Sequence, residues 1–309
     1  MPYRRCRPRT MSALLRTLTA TGLALGATSA MAAETGQTYY AHGAQTVYAA
    51  IMPPPGKTQL YGYSLFYDAS SIRDAQGEAM PGVSARGLAA APRIIHTLER
   101  QFFGFNVSFG VLALFLNSSL DTPAGQFVDY GPTLSGIEPL YLSRSVGDWH
   151  FLVGPVLYFP WGHYDADAGV NVMLNRFGGA LSGAVTWTPS PRWEASVTAG
   201  HEFKGRNRDT QYRDGQQLGI TYGFAHRPFA NMRWDFGLSG QYTVQLEDDR
   251  QSGEVIPNNR IRKFTIGPKV SYWFSQTTAV VFQWHKEYAV QNAPRGDSYW
   301  LMFSFPLGD

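Results

Sequence analysis

The chain has 309 residues, with 26 Lys and Arg against 23 Asp and Glu, 44% hydrophobic, 14% aromatic and 16% charged residues, and one cysteine. Soluble domains carry about 25% charged residues, so this chain is poor in charge and rich in rings, although its mean hydropathy is only −0.22. That mixture excludes a disordered chain, which needs high net charge and few aromatics, and a helical membrane protein, which needs repeated apolar runs of about 20 residues.

Residues 1–32 carry Arg4, Arg5, Arg7, Arg9 and Arg16 and no acid, followed by an apolar stretch from Leu18 to Met31 that ends in Ala30-Met31-Ala32. A basic start, an apolar run and small residues at the cleavage site describe an export signal, with the mature chain expected from Ala33 and Met11 an alternative initiator. Removing those five arginines leaves 21 basic residues against 23 acidic ones, so no basic surface for nucleic acid remains. Cys6 goes with the signal. A cysteine-free mature chain excludes a disulfide scaffold, a zinc–thiolate site and a cysteine nucleophile.

Residues 33–58 are different in kind: aromatics, a short apolar stretch and a stiff Pro53–Pro55 run. Beyond them the dominant period is two. Tyr61, Tyr63, Leu65 and Tyr67 share a face; so do Phe105, Val107, Phe109, Val111 and Phe115; then Trp149, Phe151, Val153, Leu157 and Phe159. Leu181, Val185 and Trp187 follow, then Trp193, Ala195, Val197 and Phe203, and Leu218, Ile220, Tyr222 and Phe224. Trp234, Phe236, Leu238, Tyr242 and Val244 alternate with Arg233, Asp235, Ser239, Gln241 and Thr243. The last rows are Phe264, Ile266, Val270 and Tyr272, then Val280, Phe282, Trp284 and Tyr288, and finally Tyr299, Leu301, Phe303 and Phe305. Rows that persist at period two are strands. Weaker segments near 89–97 and 134–143 complete an antiparallel walk of twelve.

The spaces between these rows alternate between long and short, as in transmembrane barrels with long extracellular loops and short periplasmic turns. Hydrocarbon offers the backbone no hydrogen-bond partner, so a spanning sheet must close on itself. The expectation is a 12-stranded antiparallel transmembrane β-barrel over 59–309, in the outer membrane of a Gram-negative bacterium, its greasy rows against lipid and lipopolysaccharide. Trp149, Trp187, Trp193, Tyr272 and Tyr288 fall at strand ends, where aromatic girdles belong. A water-soluble β-sandwich would have a polar outward face and no such excess of rings.

Several stretches also resemble a known family, the outer-membrane transporters associated with the meta-pathway of phenol degradation. They are Pro53-Pro54-Pro55-Gly56 ahead of YGYSLFYDA, Pro160-Trp161-Gly162-His163-Tyr164, Tyr212-Arg213-Asp214-Gly215, Leu246-Glu247-Asp248-Asp249, Gly267-Pro268, and HKEY followed by APRGDSYWL. Their order and spacing carry the resemblance, which covers nearly all of the mature chain. It implies a barrel that passes small hydrophobic or aromatic compounds across the outer membrane. One departure is the tail Pro306-Leu307-Gly308-Asp309, where signals for the barrel assembly machinery commonly stop on an aromatic; recognition would then use Phe303 or Phe305.

No H-E-x-x-H, P-loop or G-x-S-x-G occurs. Neither cofactor nor metal is expected, and Asp165 and Asp167, or Glu247-Asp248-Asp249, do not match the spacing of a calcium loop. A barrel enzyme acting on lipid would need Ser and His together on a lipid-facing wall, and His201 alone faces outward near an extracellular strand end. The chain is therefore read as a non-enzymatic channel. Alternatives are a phospholipase- or deacylase-type barrel and a structural barrel without transport.

On the wet faces lie Glu194, Glu202, Arg233, Asp235, Lys263, Lys269, His285 and Glu287. Charges of both signs around a narrow lumen can select a solute, or they can pair across it and hold it rigid. The segment 33–58 can fold into the lumen as a plug, with Tyr39, Tyr40, His42 and Tyr48 along the solute path, or lie in the periplasm as a leader. Pro155 and Pro268 mark strand positions where a lateral gap would show.

Overall fold

In the computed structural model, which describes residues 38–40 and 42–308, twelve strands form one closed antiparallel barrel. They are β1 (Thr58–Arg73), β2 (Ser84–Thr97), β3 (Asn106–Thr122), β4 (Gly125–Val146), β5 (Trp149–Pro160), β6 (Gly178–Ser190), β7 (Trp193–Lys204), β8 (Gln217–His226), β9 (Trp234–Gln245), β10 (Arg262–Trp273), β11 (Ala279–Gln291) and β12 (Ala293–Leu307). Each pairs with its sequence neighbours, and β12 returns to β1 from Thr58↔Leu307 to Arg73↔Ala293, so no sheet edge is left open. No helix occurs among the described residues. The export segment expected over 1–32 lies outside them.

The outward face is greasy because the period-two rows point there: Phe109, Val111, Phe151, Val153, Leu181, Val197, Phe236, Leu238, Phe282 and Leu301 are all exposed. A soluble barrel could not leave such a surface bare, whereas hydrocarbon solvates it. With the start of β1 and the end of β12 on the periplasmic side, rings gather at the periplasmic strand ends. Trp149 stacks on Trp187, Trp193 on His226, and Trp234 meets Tyr272 edge-on.

Two expectations need correction. The row Tyr61, Tyr63, Leu65 and Tyr67 faces the lumen; the lipid face of β1 carries Leu60, Gly62, Ser64 and Phe66. Period two fixes which residues share a face, and on a strand with apolar residues on both sides it does not say which face is wet. The bare spot at Gly62 is covered by the ring of Phe303 on β12. The long extracellular connections expected after strands 3 and 11 are likewise absent: β3 and β4 run on until only 123–124 join them, and β11 and β12 are joined at Asn292. Cross-strand pairing continues from Leu116↔Gly131 to Thr122↔Gly125, through a polar stretch that a reading by apolar rows leaves as loop. The segments near 89–97 and 134–143 are both strands, and longer than their apolar cores.

The long outward connections are 161–177, 205–216 and 246–261. Pieces of the last two, Tyr212–Arg213, Arg250–Gln251 and Glu254–Val255, form a separate three-stranded sheet.

Candidate functional site in the barrel lumen

The inward-facing positions divide the lumen into two walls. One is apolar: Tyr63 and Leu65 on β1, Ala89 and Ala91 on β2, Leu112, Leu114 and Leu116 on β3, and Leu134 on β4. The other, from β6 to β11, is polar and buried: Ser182, Thr186, Glu194, Ser196, Glu202, Thr221, Ser239, Thr265, Lys269, Gln283 and His285.

The segment ahead of β1 lies on the polar wall, because only that wall can satisfy its unpaired backbone. Tyr39 N donates to Glu202 Oε1 (2.9 Å), Gly43 N to Thr221 Oγ1 (2.9 Å), Tyr48 N to Glu194 Oε1 (2.9 Å) and Ala50 N to Thr186 Oγ1 (3.0 Å). In the other sense, Gln283 Nε2 donates to Gly43 O (2.7 Å) and Lys269 Nζ to Thr46 O (3.0 Å). Three wall glycines make sockets for it. A Cβ on Gly219 would lie 1.8 Å from the His42 ring, one on Gly178 2.5 Å from the Tyr39 ring, and one on Gly223 1.9 Å from Thr46 O.

The remaining space lies in two adjoining cavities, the outer of which follows the apolar wall. An outer cavity of about 320 Å³ and a periplasmic one of about 760 Å³ share Ala44, Gln45, Tyr63 and Arg93 as lining. At this neck Arg93 Nε donates to both Glu138 oxygens (3.0 and 2.8 Å), and NH2 lies 2.8 Å from Oε1. Tyr141 Oη donates to Glu138 Oε1 (3.1 Å), and the guanidinium sits over the rings of Tyr61 (5.7 Å) and Tyr141 (5.8 Å). A bidentate, ring-enclosed pair fixes the neck and cancels its charge. At the outer mouth Lys263 Nζ pairs with Glu287 Oε1 (2.8 Å), and Tyr67 Oη donates to Glu287 Oε2 (2.8 Å).

The sequence candidates are therefore split. Tyr40, His42, Lys263 and Glu287 line the outer cavity and Arg233 the periplasmic one. Arg233 stands exposed on the turn before β9, its NH1 3.3 Å from Tyr272 Oη. Tyr40 Oη shares a 2.9 Å hydrogen bond with Ser182 Oγ, and His42 Nε2 is 3.9 Å from Glu202 Oε2. The other five lie off the passage. Glu194, Glu202 and Lys269 hold the N-terminal segment; His285 Nε2 is 2.8 Å from Ser239 Oγ; Asp235 accepts from Trp273 Nε1 at 2.6 Å. Sequence reasoning missed Arg93 and Glu138, which lie on the two weakest segments. The available signal was a charge at an inward position of an otherwise apolar row, Ala89, Ala91, Arg93, Ile95.

Above the lumen, Asp249 gathers the outer loops: it accepts from Tyr212 Oη, from Gly215 N at 2.7 Å and from Asn259 Nδ2 at 2.7 Å. Burial first, then the neighbouring Asp214 carboxylate, push its acid above the usual range, against the opposing pull of these donors. On the lipid face His201 is flanked across the ladders by Leu181 and Leu218.

A family model described as "Putative MetA-pathway of phenol degradation" matches residues 69–303. Among solved structures, the COG4313 outer membrane channel from Pseudomonas putida F1 superposes with a TM-score of 0.74 at 14% identity, over 84% of this chain and 98% of that one. The beta domain of the Bordetella autotransporter BrkA does so with a TM-score of 0.51 at 9% identity, over 81% and 100%. At such identities the likeness is one of fold. No curated protein sequence matches the chain.

Proposed function

The chain belongs to the family of the MetA pathway of phenol degradation, and from that premise we propose that it is an outer-membrane channel for passive uptake of small hydrophobic or aromatic compounds. The observation that carries this reading is the division of the lumen. The N-terminal segment occupies the polar wall, so the open passage runs along Leu65, Leu112, Leu114, Leu116 and Leu134. An apolar solute loses no hydration there that it would wish to keep, whereas an ion leaves water for a wall that offers little in return. The charged pairs at the neck and the outer mouth, Arg93–Glu138 and Lys263–Glu287, are each internally neutralised. They offer hydrogen bonds without a field that would concentrate ions of one sign.

Movement would be diffusion down a gradient, with weak binding between Tyr63, Tyr158 and Trp300 on the way. The barrel is needed because the lipopolysaccharide leaflet, not the hydrocarbon beneath it, bars such solutes. The test is Leu114→Asp, which sets an unpaired carboxylate in the passage. Uptake of radiolabelled toluene by intact cells is expected to fall about tenfold, the equivalent of ~1.4 kcal/mol on the barrier. Toluene uptake equal to that of the wild type would count against an apolar route through the lumen.

A further inference from the structure

The lipid-facing surface of the barrel is unevenly charged. From β5 to β9 no outward strand position holds a lysine, arginine, aspartate or glutamate. The strands β10, β11, β12, β1 and β2 differ: toward their extracellular ends they turn Arg262, Lys286, Asp297, Asp68 and Arg86 outward, with Arg295 one outward step above Asp297. The ladders set four of these side by side, as Lys286↔Asp297, Asp297↔Asp68 and Asp68↔Arg86. One outward step toward the periplasm, the same ladders align Trp284, Tyr299, Phe66 and Leu88. Trp284 stacks on Tyr299, with ring centroids 6.4 Å apart and 7° between planes, and Phe66 lies 6.1 Å from Tyr299. A charged row resting on a shelf of rings marks the level where hydrocarbon gives way to headgroups.

Within this patch the acids are engaged and three cations are not. Asp68 accepts from Arg86 Nε at 3.1 Å, and Asp297 from Trp284 Nε1 at 2.8 Å. Among the described residues, Lys286, Arg295 and Arg262 form no ion pair. Lys286 and Arg295 are diagonal neighbours across β11 and β12, about 7–8 Å apart at the backbone, so two long side chains can close on one anion. An anion held there places any acyl chain attached to it directly over the ring shelf, and ion pairing and apolar burial then act in one ligand. Arg86 stands three strand spacings from Lys286, about 14 Å, within reach of a second phosphate on the same disaccharide headgroup. Its side chain is 66% exposed, and so open a pair with Asp68 holds it weakly. A lipid with a single phosphate can use only one of the two positions.

We propose that the outward face of β11, β12, β1 and β2 is a binding site for a bisphosphorylated glycolipid of the lipid A type. One phosphate lies between Lys286 and Arg295, the other at Arg86, and the acyl chains descend over Trp284, Tyr299 and Phe66. The site spans the β12–β1 closure, so a bound glycolipid braces the two strands that shut the barrel. It is independent of what crosses the lumen.

The experiment uses barrel refolded in detergent from inclusion bodies, to which bisphosphorylated lipid A, lipid A stripped of both phosphates, or phosphatidylglycerol is added. Native mass spectrometry reads the lipid retained. The wild type is expected to keep one bisphosphorylated lipid A about tenfold more readily than either of the other two. Lys286→Gln with Arg295→Gln is expected to lower that retention about tenfold, and Lys286→Arg with Arg295→Lys to preserve it. Arg100→Gln with Arg144→Gln, which removes charge at the periplasmic rim, is expected to leave it unchanged. Retention by the Lys286 and Arg295 glutamine pair equal to that of the wild type overturns the site, as does phosphatidylglycerol held as firmly as lipid A. Should the glutamine pair fail to fold, read from its heat-modifiable mobility in gels, the wild type decides alone: stripped lipid A retained as well as the bisphosphorylated form overturns the proposal.

Discussion

His42 and Gly219 illustrate how single residues set the shape of the passage. The imidazole occupies the space a Cβ at position 219 would take, so Gly219→Ala is expected to lift the N-terminal segment from its wall and raise single-channel conductance severalfold. Conductance equal to the wild type would mean that the segment is not seated by this contact. Arg93 and Glu138 make a second case. Arg93→Ala leaves a buried carboxylate unpaired and is expected to destabilise the barrel by about 3–5 kcal/mol, whereas Arg93→Met with Glu138→Leu recovers most of that loss. Urea unfolding of the refolded barrel in detergent reads both. A third case lies outside the membrane. Because the Asp249 acid is raised, the folded loops favour its protonated form; the stabilisation is present at low pH and is lost as pH rises through the raised value. Exchange of amides in 205–216 and 246–261, corrected for intrinsic rate, is expected to quicken as pH rises through that value and to lose this dependence in Asp249→Asn. At this scale little was legible in advance. Glu194, Glu202 and Lys269 announced themselves as inward charges, but that they hold a chain segment depends on contacts 146 to 223 positions away in sequence.

Among the elements, the strands were the readable part. An apolar row of period two survives wherever lipid touches the wall, so β5 to β12 could be traced from their rings alone, while β2 and the outer halves of β3 and β4 could not. Their lipid-free stretches carry no such demand. β1 shows the limit from the other side, since rings on both of its faces leave the choice of lumen face to neighbours that the sequence does not name. The N-terminal segment has no period at all; its place follows from hydrogen bonds that its backbone gives to the polar wall and accepts from it. Deleting 33–52 is expected to enlarge the passage across the whole polar wall and to increase liposome permeability to small solutes severalfold. An unchanged permeability would mean that the segment does not restrict flow.

For the whole molecule, closure and a greasy exterior belong together: β12 meets β1 because a spanning sheet cannot leave an edge in hydrocarbon, and the rings face outward because only lipid accepts them. That logic was fully present in the composition, poor in charge and rich in aromatics. The division of the interior into a covered polar wall and an open apolar one was not, because it arises when one segment chooses a wall. On that division rests the claim that apolar solutes cross here. The direct measurement is uptake of radiolabelled toluene and of benzoate by cells lacking the protein, with and without its restoration on a plasmid. Restoration is expected to raise toluene uptake at least fivefold and to leave benzoate, which must carry its charge past the leucines, nearly unchanged. Toluene uptake indifferent to the protein, or benzoate gaining as much as toluene, would contradict an apolar route through the barrel.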